Sequence, residues 1–411
     1  MIEKFKTNAE VIENGDKYLY GNHVRMPISM ERGEGVYVFD KDGNKYLDFV
    51  GGIAVNGLGH CHPAIVKCLQ ERAETILHCS NYFYNEPAVQ TAKLIVENSC
   101  FDKVLFANSG AEANECAIKL ARLYARRRTE AAGKDAELAP RLIVTLAKSF
   151  HGRTLATLAA TAQPAKQEAF QPLPAGFTAT PINDVEALER LFETLGDRIC
   201  AVMIECIQGE SGVHPCTEEF VGAIRRLTEE YGALMICDEV QSGIFRTGLP
   251  YGFQNFGVLP DIVTMAKGIA SGFPMGACAA RIEVAEAFEP GDHGSTFGGS
   301  NLAMAAAHAT LATLSRGHYD DRVTEVGDYF AEKLAQVEGV TEVRGMGLML
   351  GADLEEGIDA HKVVAQGLEE GFLLNATGSN TLRFLPPLIV TETEIDKLID
   401  ALPGMIAAVR E

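Results

Sequence analysis

Asp261-Ile262-Val263-Thr264-Met265-Ala266-Lys267-Gly268 runs from an acid through a short apolar stretch into a lysine and a glycine. A continuous apolar run, as opposed to an alternating one, is the pattern of a strand buried on both faces, and the glycine behind it marks a turn at the strand's carboxyl end. The same grammar recurs at residues 104–107, 142–146, 200–204, 234–237 and 275–280, separated by helical patterns such as 112–124. Buried strands alternating with amphipathic helices predict an α/β large domain, its central sheet mostly parallel and covered by helices on both faces.

Outside this block the pattern changes. Residues 35–49 alternate around Lys41-Asp42-Gly43-Asn44, a hairpin whose turn uses residues that tolerate positive φ. After a small-residue helix at 302–314 the sequence predicts a helix, a strand at 343–354, a helix, a strand at 382–385 and a last helix ending near Arg410. The two ends together predict a smaller α+β domain, divided as 1–70 for its N-terminal segment, 71–315 for the large domain and 316–411 for its C-terminal part. A length of 411 residues exceeds one comfortable core, which also favours two lobes with a cleft between them.

A formal net charge of −20 argues against nucleic acid as a partner, because phosphate backbones are held by clustered Lys and Arg. The one basic run, Arg126-Arg127-Arg128, falls near a helix C-terminus, where cations complement the dipole. Ten cysteines without a Cys-x-x-Cys spacing read as reduced core thiols and a cytoplasmic location. No segment runs apolar for the ~20 residues that a membrane span needs, and Met1 to Lys6 lacks the apolar core of an export signal. His60-Cys61-His62 has metal-binding residue types, but adjacent side chains rarely converge on one ion, so no metal is expected.

Chemistry gathers at the predicted strand ends. Asp238, in Cys237-Asp238-Glu239-Val240-Gln241, falls at the carboxyl edge where open α/β sheets bind ligands. Lys267 stands in a glycine-rich, small-residue turn in which a partly desolvated amine would have a lowered pKa. One amine able to form a Schiff base with an aldehyde and one carboxylate able to keep a ring nitrogen protonated are the two protein groups that pyridoxal phosphate requires. Asn108-Ser109-Gly110-Ala111-Glu112 lies between a strand and a helix, a helix N-terminus suited to a phosphate or simply a capped helix. Phe150 in Phe150-His151-Gly152-Arg153 could stack on a planar ring and Arg153 could take a carboxylate, whereas His151 reads as a satisfied structural histidine. Gly294-Ser295-Thr296-Phe297 adds two hydroxyls in a loop opening a helix, and Glu210 and Arg383 are opposite charges that sequence alone does not bring together.

In this order the segments resemble the class III (ornithine-type) aminotransferases of PLP fold type I over nearly the whole chain, with the greatest likeness to their acetylornithine branch. Residues 80–87, 108–114, 150–154, 236–243 and 383–390 carry that likeness. The resemblance implies a Schiff base on Lys267, Asp238 at the ring nitrogen, Gln241 near the ring hydroxyl and Phe150 on the ring face. It implies a phosphate held by Ser109, Gly110 and Ala111 of one subunit and by Thr296 of the other, hence a homodimer with shared active sites. Substrate contacts would come from Arg153, Glu210, Ser295 and Arg383, with Arg383 taking the α-carboxylate of glutamate or 2-oxoglutarate and Glu210 covering it when an ω-amino donor is bound. The implied reaction moves an amino group from N2-acetylornithine to 2-oxoglutarate within arginine biosynthesis. Succinylornithine, ornithine, 4-aminobutyrate and other ω-amino acids are alternative donors, and a non-catalytic scaffold is the alternative of another class. Three departures from the family's usual residues stand out: Cys206 for proline, Phe245 for glycine, and Ser300-Asn301 for Asn-Pro. Phe245 is expected to narrow a pocket near Asp238.

Overall fold

The computed structural model describes residues 4–410, so Met1 to Glu3 of the N-terminal stretch lie outside the described residues. The N-terminal strands are β1 (Met30–Glu34), β2 (Tyr37–Asp40) and β3 (Lys45–Asp48), an antiparallel meander with the anticipated hairpin between the last two. The large sheet is built from β4 (Lys103–Ala107), β5 (Leu142–Leu146), β6 (Phe177–Thr180) and β7 (Ile199–Ile204), then, after a short hairpin of β8 (Ile207–Gln208) and β9 (His214–Pro215), from β10 (Leu234–Asp238), β11 (Ile262–Met265) and β12 (Gly276–Ala280). Its order is β4-β12-β11-β10-β7-β5-β6, parallel except at β12, which runs antiparallel to both neighbours. Every residue of β7, β10, β11 and β12 is buried, as two-sided helix cover demands. The Asp238 and Lys267 ends of the adjacent strands β10 and β11 therefore open on the same edge.

The C-terminal part adds β13 (Val340–Met346), β14 (Met349–Leu354), β15 (Phe372–Leu373), β16 (Asn375–Thr377) and β17 (Thr381–Phe384). The single strand expected at 343–354 is two strands: Gly347, at φ +54, turns the chain and Met346 pairs with Met349. An apolar run continuous across a two-residue hairpin hides the turn, and the Gly345-x-Gly347 fragment is what marks it. β15 pairs in parallel with β3, Phe372 opposite Leu47, so the two chain ends share one small sheet. His60 is bound up in this region, its Nε2 lying 2.8 Å from Asp48 Oδ2, while the His62 ring accepts from the Ala64 N–H. In the basic run, Arg127 pairs with Glu289 at 2.9 Å and Asp292 at 3.1 Å.

Candidate active site

A cavity of about 450 Å³ opens at the carboxyl edge of β10 and β11. Lys267 and Asp238 both line it, and so do Gln241, Phe150 and Arg153. Ser109, Gly110 and Ala111 form another wall, at the start of the helix Gly110–Ala131. Ser109 caps that helix, its Oγ accepting the Glu112 N–H at 3.2 Å. The Gly110 and Ala111 N–H groups belong to a first helical turn, whose donors have no intrahelical acceptor and face the cavity with the positive end of the dipole.

Asp238 is 4% exposed and its carboxylate is held from three directions. Asn114 Nδ2 and His151 Nδ1 each lie 2.8 Å from Oδ2, and the Val240 N–H donates to Oδ1 at 3.0 Å. Asn114 is itself fixed, accepting from Thr264 Oγ1 at 2.6 Å and donating to the His151 carbonyl at 2.7 Å. Burial alone would depress His151, but the hydrogen bond and charge of Asp238, with the charge of Glu205, leave its pKa raised. Its Nε2 is buried and finds no partner among the described residues. The next acid, Glu239, is structural: it accepts from Ser242 Oγ and from the N–H groups of Gly252 and Phe253.

Lys267 follows β11 at φ +45, a backbone region that non-glycine residues enter at a cost of about 1–3 kcal/mol. Removal from bulk water pushes its ammonium pKa down, the charge of Glu210 opposes this, and Arg383 adds to the depression. A larger fraction of neutral amine results, as a nucleophilic and proton-moving lysine needs.

Arg383 and Glu210, separate in sequence, form an ion pair beside this cavity at 2.6 Å. Gln241 joins them to it: its Oε1 accepts from Arg383 at 3.2 Å and its Nε2 donates to Glu210 Oε1 at 3.2 Å. Arg383 is 2% exposed, with Asn375 Oδ1 and the Gly209 carbonyl completing its partners. Ser295 and Thr296 do not line this cavity. Ser295 Oγ accepts from Asn108 Nδ2 at 3.0 Å and from the Gly298 N–H at 2.9 Å, and Thr296 is exposed outside the cavity.

The family model for aminotransferase class-III matches residues 19–406. The chain belongs to the class-III aminotransferases. An acetylornithine aminotransferase of Caldanaerobacter subterraneus subsp. tengcongensis is 48% identical to it over 96% of this chain and 98% of its own length. Another, from Methanocaldococcus jannaschii, is 44% identical over 96% and 97%. Among solved structures, ornithine aminotransferase from Toxoplasma gondii superposes with a TM-score of 0.92 at 30% identity, covering 99% of this chain and 96% of that one. Acetylornithine aminotransferase from Elizabethkingia anophelis gives 0.86 at 32% identity over 98% and 100%. These likenesses make the fold PLP fold type I and the cofactor pyridoxal phosphate. The residues present fit that group: an amine, a carboxylate braced by Asn114 and His151, and a helix N-terminus line one cavity.

Phe245 does not narrow the aminotransferase's cavity. It is 8% exposed and lines a separate cleft with Leu94, Pro250 and Leu311. Ile244 and Phe245 sit at φ +60 and +63, and both N–H groups donate to the Pro250 carbonyl. Phe245→Gly should relieve about 1–3 kcal/mol of backbone strain and forfeit about 3–5 kcal/mol of buried ring. The expected outcome in urea unfolding is a net loss of about 2 kcal/mol, with kcat/KM unchanged. Cys206 likewise faces away from the cavity, its Sγ 3.9 Å from that of Cys237, and Asn301 Nδ2 reaches Cys79 Sγ at 3.6 Å.

Sequence reasoning missed Asn114 and the weight of Glu205. Asn114 had a signal, a polar residue on the apolar stripe of Ala113, Ala117 and Leu120. Glu205 lines the cavity, accepting the Phe150 N–H at 2.7 Å and the Gly209 N–H at 3.3 Å. Burial raises its pKa to about 7, against His151 and with the charge of Asp238. Unfolded, this carboxyl loses its proton near 4.5. Between that value and about 7 the folded state binds more protons, so stability should fall as pH rises through the window and then level off. The total is about 3 kcal/mol. Melting temperatures from pH 5 to 8 test this: Glu205→Gln should flatten the decline, and an unchanged slope would assign it elsewhere.

Proposed function

We propose that this aminotransferase moves the δ-amino group of N2-acetylornithine to 2-oxoglutarate, giving N-acetylglutamate 5-semialdehyde and glutamate, in arginine biosynthesis. The observation that carries the reading is the 2.6 Å pair between Arg383 and Glu210 at the edge of the Lys267 cavity. It rests also on acetylornithine aminotransferases 41–48% identical over nearly the full chain.

Bound in the cavity, pyridoxal phosphate supplies an aldehyde to carry the amino group and a ring to accept an electron pair. Lys267 would hold it covalently, with Asp238 at its ring nitrogen, Gln241 toward its hydroxyl, Phe150 on its face, and Ser109, Gly110 and Ala111 at its phosphate. Lys267 Nζ would also take the proton from the donor's δ-carbon, a task suited to an amine with a depressed pKa. Arg153 receives the donor's remote carboxylate. Glu210 neutralises Arg383 in that half-reaction and yields it to the α-carboxylate of 2-oxoglutarate in the other, so the buried guanidinium is never unpaired. The local contacts of Ser295 make it a brace for Asn108, next to the phosphate loop, as well as a candidate substrate contact.

The protein would work as a homodimer in the cytoplasm. Thr296 lies outside its own cavity, beside Phe297, which is 61% exposed, and the segment bearing Tyr82 and Tyr84 is exposed by 93% and 99%. Large exposed aromatics of this kind mark a protein interface, from which Thr296 would reach the partner's phosphate. All ten cysteines are free thiols, six of them buried, as a reducing compartment favours. Among the described residues no helix is long and apolar enough to cross a membrane.

Steady-state kinetics with N2-acetylornithine, N2-succinylornithine, ornithine and 4-aminobutyrate test the donor. Ornithine brings a second ammonium toward walls that include Val55, Phe273 and Met275, so its kcat/KM should be lower by about tenfold or more. A preference for ornithine or 4-aminobutyrate would overturn the assignment.

A further inference from the structure

Arg383 belongs to a row of residues that crosses the C-terminal sheet. Strand register sets Arg344 of β13 opposite Gly351 of β14, Gly351 opposite Arg383 of β17, and Arg383 opposite Asn375 of β16. The five-residue loop 209–213 between β8 and β9 lies over this row and is gripped at both ends. At one end Arg383 Nη1 donates to the Gly209 carbonyl at 3.0 Å and to Glu210 Oε1 at 2.6 Å. At the other, Arg344 Nε donates to the Gly212 carbonyl at 2.8 Å. Gly351, between the two arginines, makes the approach possible, since a Cβ there would stand 2.8 Å from the Gly212 carbonyl oxygen and 3.0 Å from Val213 Cβ.

The two grips differ in kind. The Arg383 grip includes Glu210, which must leave whenever a substrate carboxylate takes the guanidinium. The Arg344 grip involves a backbone carbonyl alone and no group that substrate would replace. Arg344 is fixed in turn by Asp353, whose two carboxylate oxygens each accept from the guanidinium at 2.8 Å, and Asp353 accepts from Thr381 Oγ1 at 2.5 Å. Beyond Gly212, at φ +116, the chain turns Val213 into a buried cluster with Ile207, Met349 and Leu385. One end of the loop is thus anchored while the Glu210 end is held by an exchangeable ion pair.

We propose that Arg344 is a positioning residue: it pins loop 209–213 at Gly212, so that the Glu210 side chain leaves and regains Arg383 while the loop stays in place. It thereby sets the discrimination between ω-amino donor and keto acid, and this rests on the Glu210–Arg383 exchange proposed above. With the pin loosened, Glu210 recovers Arg383 less often. The uncovered guanidinium then captures the donor's own carboxylate in an unproductive pose, whereas 2-oxoglutarate, which needs it uncovered, loses nothing.

Single-turnover half-reactions on the holoenzyme test this, with N2-acetylornithine added to the aldehyde form and 2-oxoglutarate to the amine form. Arg344→Lys retains the charge but not the fork that joins Gly212 to Asp353, and should lower the limiting single-turnover rate of N2-acetylornithine by about fivefold. That of 2-oxoglutarate should stay within about twofold. Asp353→Asn, a milder change two strand positions from the row, should shift the same ratio in the same direction. Glu210→Ala sets the full extent of the selective effect. If Arg344→Lys and Asp353→Asn slow both half-reactions equally, in step with a fall in melting temperature, Arg344 is only a strand-pairing residue and the proposal fails. If Glu210→Ala shows the selective effect and neither of those variants does, the anchor fails and the exchange stands. If Glu210→Ala shows none, the exchange fails and takes the anchor with it.

Discussion

Lys267→Ala is expected to lower kcat/KM with either substrate by about 10⁴-fold or more, since it removes both the covalent attachment and the group that moves the proton. The structure shows why no neighbour replaces it. Lys267 enters the cavity from a positive-φ position directly behind β11, and Ser271 at φ +41 closes the same short turn, so the backbone is committed to presenting this one side chain. Other basic groups of this region are otherwise employed, with Arg383 paired to Glu210, His151 to Asp238 and Arg153 over the Phe150 ring. Borohydride reduction of the wild-type holoenzyme followed by peptide mass analysis should find the cofactor's mass on the Lys267 peptide. Turnover of the variant within tenfold of wild type would sink the assignment.

Asp238→Asn keeps the shape and removes the charge, and it should still be severe. Asn114 and His151 both donate to one carboxylate oxygen and the Val240 N–H donates to the other. An amide offers only one oxygen, so one of these donors would face an NH₂ group, and His151 would lose its anionic partner in a buried site. Removing one member of such a pair costs about 3–5 kcal/mol. Expressed in the reaction barrier, that is a loss of about 10²–10⁴-fold in kcat, accompanied by weaker cofactor retention on dialysis. A variant retaining a tenth or more of wild-type activity would mean that Asp238 does not hold the ring nitrogen.

The strands β5, β7, β10 and β11 were legible because two-sided burial writes an uninterrupted apolar run. β6 was not, since Phe177–Thr180 is an edge strand of mixed exposure with two threonines, and nothing in its pattern separates it from a loop. Nor was the reversal of β12 visible, because a buried strand reads alike in either direction. In the site, Lys267 and Asp238 announced themselves through position at strand ends. The Arg383–Glu210 pair did not, because its members lie 173 residues apart and meet only in the folded chain. Phe245 misled because nearness in sequence to Asp238 was taken for nearness in space, whereas the left-handed turn at Ile244 and Phe245 sends the ring to the far side.

The pairing of Leu47 with Phe372 also has a meaning in time. Synthesis proceeds from the N-terminus, so β3 leaves the ribosome long before its partner strand exists, whereas β4 to β12 emerge together and can assemble as a unit. The sheet that ends in Asp238 and Lys267 can therefore form first, and the strand carrying Arg383 arrives among the last. A nascent chain thus carries every residue proposed to meet the cofactor before it carries the arginine proposed to receive the keto acid.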